Sequence, residues 1–188
     1  MTRTFPALLA AFALSATPAL AAPTFKVDPG HAAATFEVTH LGTSTTHGRF
    51  NAVGGRYALD ANDLSNSFVE VTIDAKSIDT NNKKRDDHLR GPDFFNAKRF
   101  PKLTFKSKRI ERKGKDFVAH GTLTLHGVSK NVSVVVRKVG EGKDPWGGFR
   151  SGYDATFDIK RSDFGMNFMQ GGISDRVAIR VSLEGIRQ

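Results

Sequence analysis

The sequence predicts an all-β fold, a barrel or sandwich of about eight antiparallel strands, and three observations carry that reading. Apolar and polar residues alternate with period two along nearly the whole chain beyond residue 21, as strands with one inward and one wet face require. Clusters of Gly, Asp, Asn and Pro punctuate the alternation, marking turns between neighbouring strands. Apart from one charged stretch near residues 82–97, no helix-period run interrupts it.

In chain order, Phe36 and Val38 alternate with Thr35, Glu37 and Thr39, and Val69, Val71 and Ile73 with Glu70, Thr72 and Asp74. Leu123 and Leu125 follow, set against Thr122 and Thr124; then Tyr153, Ala155, Phe157 and Ile159 against Asp154, Thr156, Asp158 and Lys160. Val177, Ile179, Val181 and Leu183 complete the last strand, opposite Arg180, Ser182 and Glu184. Turns are expected at Gly54–Gly55, 60–66, 113–115, 140–148 and Gly171–Gly172.

The exception to the β pattern has its own signals. Thr80, Asn81 and Asn82 offer caps for a short helix from Lys83 to Arg90, which Gly91–Pro92 ends. Asp93 is a candidate cap for a second turn carrying Phe94 and Phe95. On a helix Asp86 faces Arg90 four residues on, a pair worth a few tenths of a kcal/mol. Leu89, Phe94 and Phe95 are expected to point inward with the charges in water, making the segment a lid or plug.

Ahead of the domain, the apolar run Ala7–Ala16 and the small-residue site Ala19–Leu20–Ala21 have the form of a secretory leader cut after residue 21. The run is shorter than the roughly 20 residues that span a bilayer. The expected organisation is therefore residues 1–21 as a signal peptide and 22–188 as a single domain, localised to the periplasm. The chain has no cysteine, so its fold must rest on core burial without disulfides. Its net charge is +9. Export argues against nucleic acid as the partner and for an anionic membrane surface. The densest basic run lies between Lys98 and Lys115, where nine Lys and Arg meet only Glu111; read as solvated outward positions of strands and a turn, which charge runs usually are, it needs no partner. A homodimer is left open.

Fifteen phenylalanines against two tyrosines and one tryptophan bring bulk without polar tips that need partners. An eight-stranded barrel is just wide enough to be filled by such side chains or to hold one slender ligand. Phe36, Phe50, Phe68, Phe105, Phe117, Phe157, Phe164 and Phe168 fall on or beside the inward faces. For a ligand, the expected tunnel lining is Phe36, Val38, Phe50, Val71, Phe94, Phe95, Phe105, Leu123, Leu125, Phe157, Phe164 and Phe168. His31, His40, Asn167 and Gln170 are the polar candidates for its mouth.

Asp86, Asp87 and His88 look like a hydrolytic or metal-dependent cluster, but no Ser or Cys stands in a nucleophile motif such as G-x-S-x-G. No histidine pair has a standard ligand spacing such as H-E-x-x-H. His120 and His126, read as one strand, stand roughly 20 Å apart at about 3.3 Å per residue. His40 and His47 are candidates to meet across a turn, with His31 or His88. No catalytic residue and no metal are assigned.

Four segments, 27–50, 85–105, 121–136 and 159–168, resemble the YceI family of exported lipid-binding proteins, in order over essentially the whole chain beyond the leader. The resemblance implies a lipocalin-like β-barrel whose interior holds a long isoprenoid chain, a polyprenyl compound or the tail of a ubiquinone-type quinone. It implies no catalytic cofactor and no enzymatic activity. Asp28, His31, 85–95, Phe100–Pro101 and 161–164 match as motif positions. Three readings follow: a periplasmic isoprenoid carrier or reservoir, a barrel filled only by its own side chains, and an enzyme using Asp86, Asp87 and His88.

Overall fold

A computed structural model describes residues 22–61 and 63–188; the leader expected at 1–21 lies outside the described residues. The strands are β1 (Phe25–Val27), β2 (Ala33–His40), β3 (Ser44–Phe50), β4 (Val53–Ala58), β5 (Phe68–Asp74), β6 (Ile78–Asp79), β7 (Lys102–Lys113), β8 (Asp116–Leu125), β9 (Val128–Lys143), β10 (Phe149–Lys160) and β11 (Arg176–Arg187), with one helix, α1 (Lys83–Arg90). Pairs of short segments, β1 with β2, β3 with β4 and β5 with β6, each act as one broken strand. The result is an eight-stranded antiparallel barrel in up-and-down order. It closes because β11 pairs with β2 through Ala178–Ser182 and with β1 through Gly185–Arg187.

The alternation sets the pairing. Across β10 and β11, Tyr153 faces Leu183, Ala155 faces Val181, Phe157 faces Ile179 and Ile159 faces Val177 on the inner side. A one-residue slip would turn this whole apolar set to water. Asp154, on the outer side, accepts hydrogen bonds from Arg137 and Arg180, each at 2.8 Å, and from Ser182. Led by the Ser182 hydroxyl, these donors hold its carboxyl below the usual range.

The two ends of the barrel differ. At the end where the described chain begins and ends, an aromatic plug fills the interior. Tyr57 is 1% exposed, stacks on Phe25 at 5.5 Å and meets Tyr153 edge-on at 5.4 Å. Its hydroxyl donates to the Ser151 carbonyl, and burial pushes the phenol above its ordinary pKa. A Cβ at Gly185 would stand 2.7 Å from the Tyr57 oxygen, so a residue without a side chain lets β11 pass. At the opposite end lie the β2–β3 turn, the crossover 80–101, the His126–Gly127 turn and the loop 161–175.

Some sequence expectations shift. Gly54 and Gly55 lie inside β4, not in a turn. β9 continues to Lys143, shortening the following turn to 144–148. His126 occupies the β8–β9 turn with φ of 52° instead of continuing the strand. Phe68 lies on the outer face of β5 with the Arg56 guanidinium 5.2 Å from its ring centre, because Val69 and Val71 take the inner face. The expected Asp86–Arg90 pair does not form. Asp86 is buried and accepts from Thr80, whereas Arg90 pairs with Asp87 at 3.0 Å.

A polar clasp ties the segment after β1 across β11 to β10. Arg150 donates to Asp28 at 2.7 Å, to Glu184 at 2.5 Å and to Asp144 at 3.0 Å. Arg150 foremost, with His31 next, lowers the Asp28 pKa to about 2. A carboxylate depressed in the fold stabilises it above the unfolded pKa and ceases to do so as pH falls through the folded one. The Asp28 contribution should thus be complete above its ordinary 3.8 and lost toward about 2. In Arg150→Met, NMR titration of Asp28 should show the midpoint rising toward the ordinary value, with lower thermal stability at pH 7 and a smaller deficit near pH 2. An unmoved midpoint would refute the clasp.

Candidate functional site

Above the plug, the inward side chains leave part of the barrel unfilled. The cavity measures about 360 Å³, within the range of small-molecule sites, and its walls are overwhelmingly apolar. Of the exposed lining residues, Thr35 lies mid-strand on the outer face of β2, whereas His40, Arg85, His88 and Met169 cluster at the crossover end, so the chamber opens there.

Ten of the twelve expected lining residues border this cavity. β2 supplies Phe36 and Val38, β3 Phe50, β5 Val71, β7 Phe105, β8 Leu123 and Leu125, β10 Phe157, and the crossover Phe94 and Phe95. Phe50 meets Phe36 at 5.8 Å and Phe95 edge-on at 5.4 Å, joining barrel wall to crossover. The Phe36 ring lies over Gly48, where a Cβ would stand 2.2 Å from Cζ; β3 omits a side chain because the Phe36 ring fills that space.

The remaining two lie elsewhere. Phe164 is 2% exposed and packs in the core cluster of Leu125, Ile159 and Met166, its carbonyl 3.0 Å from His126 Nδ1. Its place in the short 3-10 turn after β10 breaks the strand alternation and buries it beneath the lining residues Leu125, Ile159 and Met166. Phe168 sits on the rim, its ring 5.3 Å from both His88 and Phe94.

Of the expected polar mouth residues, only His40 lines the cavity. Asn167 and Gln170 bond to each other at 3.1 Å in the exposed loop. His31 lies away from the mouth, beside Asp28 at 3.0 Å, because the break between β1 and β2 carries it to the Arg150 clasp. Asp28, His31 and Glu184 bring possible metal-ligand atoms together. The Arg150 guanidinium already donates to both carboxylates, making this an ion-pair network. His47 lies opposite Glu37 in the β2–β3 pairing and His40 opposite Ser44, so the register separates the two histidines.

The crossover is held by the charges that resembled an active site. Asn82 caps α1 by accepting from the Arg85 amide at 3.0 Å. Asp86 accepts from the Thr80 amide at 2.9 Å and hydroxyl at 2.5 Å. Arg85 donates to the Thr80 hydroxyl and carbonyl, and Arg90 to the carbonyls of Lys76 and Ile78. Lys83 pairs with Asp87 at 2.7 Å, and His88 with Asp93 at 2.9 Å. These bonds fasten the crossover across the barrel end, with Leu89, Phe94 and Phe95 turned to the cavity.

The loop 161–175 adds lining that periodicity does not reveal: Arg161, Met166, Met169 and Ile173. Arg161 is 4% exposed and donates to the carbonyls of Met166, Phe168, Ile173 and Ser174. Desolvation pulls its pKa down from the ordinary value. One buried guanidinium thereby fixes the loop that edges the mouth. The basic strip, by contrast, runs along the wall: Lys106 pairs with Glu70 at 3.0 Å, Arg109 with Glu111, and Arg112 donates to Ala61 and Gly114 carbonyls.

Comparison with known proteins agrees with this architecture. A UPF0312 protein of Shewanella oneidensis is 41% identical over 98% of this chain and 97% of its own. The crystal structure of Burkholderia cenocepacia BcnA superposes with a TM-score of 0.77 at 26% identity, covering 84% of this chain and 98% of that one. A polyisoprenoid binding domain from Saccharophagus degradans, implicated in plant cell wall breakdown, shares the fold with a TM-score of 0.66. It is 16% identical over 87% of this chain and 98% of that one. The model of the YceI-like domain matches residues 25–185, and the chain belongs to that family.

Proposed function

We propose that this barrel binds a long-chain isoprenoid lipid, a polyprenyl compound or a ubiquinone-type quinone, and acts as its periplasmic carrier or reservoir. The observation that carries the reading is the apolar chamber of about 360 Å³, closed by the aromatic plug and open beside the crossover. Its chemistry suits a slender hydrocarbon tail held by burial, with the head group near His40, Arg85 and His88. The polyisoprenoid binding described for the Saccharophagus degradans domain supports the choice of ligand class, and the leader-like residues 1–21 support export. An anionic membrane is the natural source of such cargo. Binding by burial needs no catalytic residue, and the carboxylates of the charged cluster already have structural partners.

Native mass spectrometry of the protein from its natural periplasm should show a stoichiometric adduct whose solvent extract is a polyprenyl lipid or quinone. A bare mass that persists after incubation with such lipids would refute the reading. Affinity should also climb with tail length and then level off once the chamber is full. Each five-carbon unit contributes at most about 4 kcal/mol before ordering costs, from about 0.8 kcal/mol per buried CH2. A titration series flat in tail length would contradict burial as the driving force.

Ala155 lines the chamber between Val136 and Val181, so Ala155→Phe places a ring in open space. Long-tail affinity is expected to fall at least tenfold. The thermal midpoint should stay within about 4 °C, the shift that about 1 kcal/mol produces at this size. Retained affinity would place the ligand elsewhere.

A further inference from the structure

The mouth is edged by apolar side chains that the fold holds out in water. Leu41 is 58% exposed, Met169 44% and Phe168 37%. Leu41 and Met169 have φ of 51° and 52°, a left-handed conformation that residues with a Cβ adopt at a cost. Strained backbone placing large apolar groups in solvent at a cavity mouth points to a use for them. They form one patch. Leu41 donates its N–H to the Gly172 carbonyl at 2.7 Å, and Gly172 donates to Met169 at 3.0 Å. Met169 Cε and Leu41 Cδ2 converge over Gly172, 3.0 and 3.7 Å from where a Cβ would stand. Met169 also lines the cavity, so the patch is continuous with the interior.

Charge identifies the partner. Lys84, Lys98, Lys130 and Lys160 stand exposed at the same end of the barrel. Of the nearby acids, Asp87 is committed to Lys83 and Arg90, Asp93 to His88 and Asp158 to Arg176, while Asp163 on the loop is exposed and outnumbered by the lysines. Apolar tips flanked by lysines match an anionic bilayer surface, where tips enter the acyl boundary and ammonium groups meet head groups. A second copy would bring like charges face to face. The cargo sets the same demand: a tail crossing water would expose its apolar surface, so the mouth has to meet the membrane directly.

We propose that the protein docks mouth-first on an anionic lipid surface through Leu41, Phe168 and Met169, with the surrounding lysines as the electrostatic contact. This rests on the carrier reading, and it shifts docking away from the basic strip of β7, where Lys106 and Arg109 are paired along the wall.

The test is flotation with phosphatidylcholine vesicles, with or without phosphatidylglycerol. The wild type is compared with Leu41→Ser/Phe168→Ser, neither of which lines the cavity, and with Lys84→Glu/Lys160→Glu. Binding to the anionic vesicles should fall at least tenfold in the first variant and severalfold in the second. Trp146, 81% exposed in the β9–β10 turn at the opposite end, serves as an orientation reporter whose emission should stay unshifted. Equal flotation of wild type and rim variant overturns the proposal, as does a blue shift of Trp146 on binding. Absent flotation with a wild-type dimer that the rim variant converts to monomer overturns it by assigning the face to a second copy. Uptake of a detergent-solubilised polyprenyl alcohol, measured in parallel, separates the two ideas: uptake without flotation sinks docking alone, and flotation without uptake sinks the carrier reading alone.

Discussion

Everything in this molecule depends on the closure of one sheet on itself. β11 hydrogen-bonds to β10 on one side and to both β2 and β1 on the other, leaving the eight-stranded wall without a free edge. Closure creates an inside, and the period-two alternation of every long strand makes that inside apolar. It also fixes a circumference, and the inward residues do not fill it. This leaves a chamber of about 360 Å³ with apolar walls and a mouth at one end.

The chamber has a direction because its ends are built on different principles. One is sealed by rings: Tyr57, Phe25 and Tyr153 interlock, and the buried Tyr57 hydroxyl is satisfied by a backbone carbonyl. The other is spanned by a crossover whose attachment is polar. Asp86 and Arg85 converge on Thr80, and Arg90 reaches back to the strand it follows. Separating the plug would expose a large aromatic area, and the exposed lining His40, Arg85, His88 and Met169 lies at the other end. The mouth of the chamber therefore belongs to the crossover end.

The sequence revealed this architecture where information was local. In β10 and β11 the alternation named the inward residues from Tyr153 to Ile159 and from Val177 to Leu183, though not Ser151 or Gly185, and Lys83 and Arg90 bounded α1, with Asn82, one of three cap candidates, serving as its cap. It misled where a glycine served close approach: Gly54 and Gly55 read as a turn but lie within β4. It was silent where position depends on distant partners. His31 belongs to a clasp with Arg150, more than a hundred residues away, and nothing in its neighbours announces that. Arg161 edges the chamber through carbonyls of an irregular loop without a period. Phe164 and Phe168 sit four residues apart in that region, one buried beneath the lining and one on the rim, because the 3-10 turn after β10 rotates successive side chains out of the strand pattern.

The charged cluster from Arg85 to Asp93 is tied into the crossover. Asp86 Oδ1 accepts from both donors of Thr80, and His88 is flanked by two phenylalanine rings with Asp93 on its Nε2. These groups fix the backbone of a crossover that must stay ordered while carrying Leu89, Phe94 and Phe95 over an incompletely filled chamber. In a barrel with no cysteine, no disulfide can pin the crossover in place, and the dense polar ties at its base perform that task. The same ties orient the rim, since the His88 ring they position supports Phe168 beside the exposed Met169.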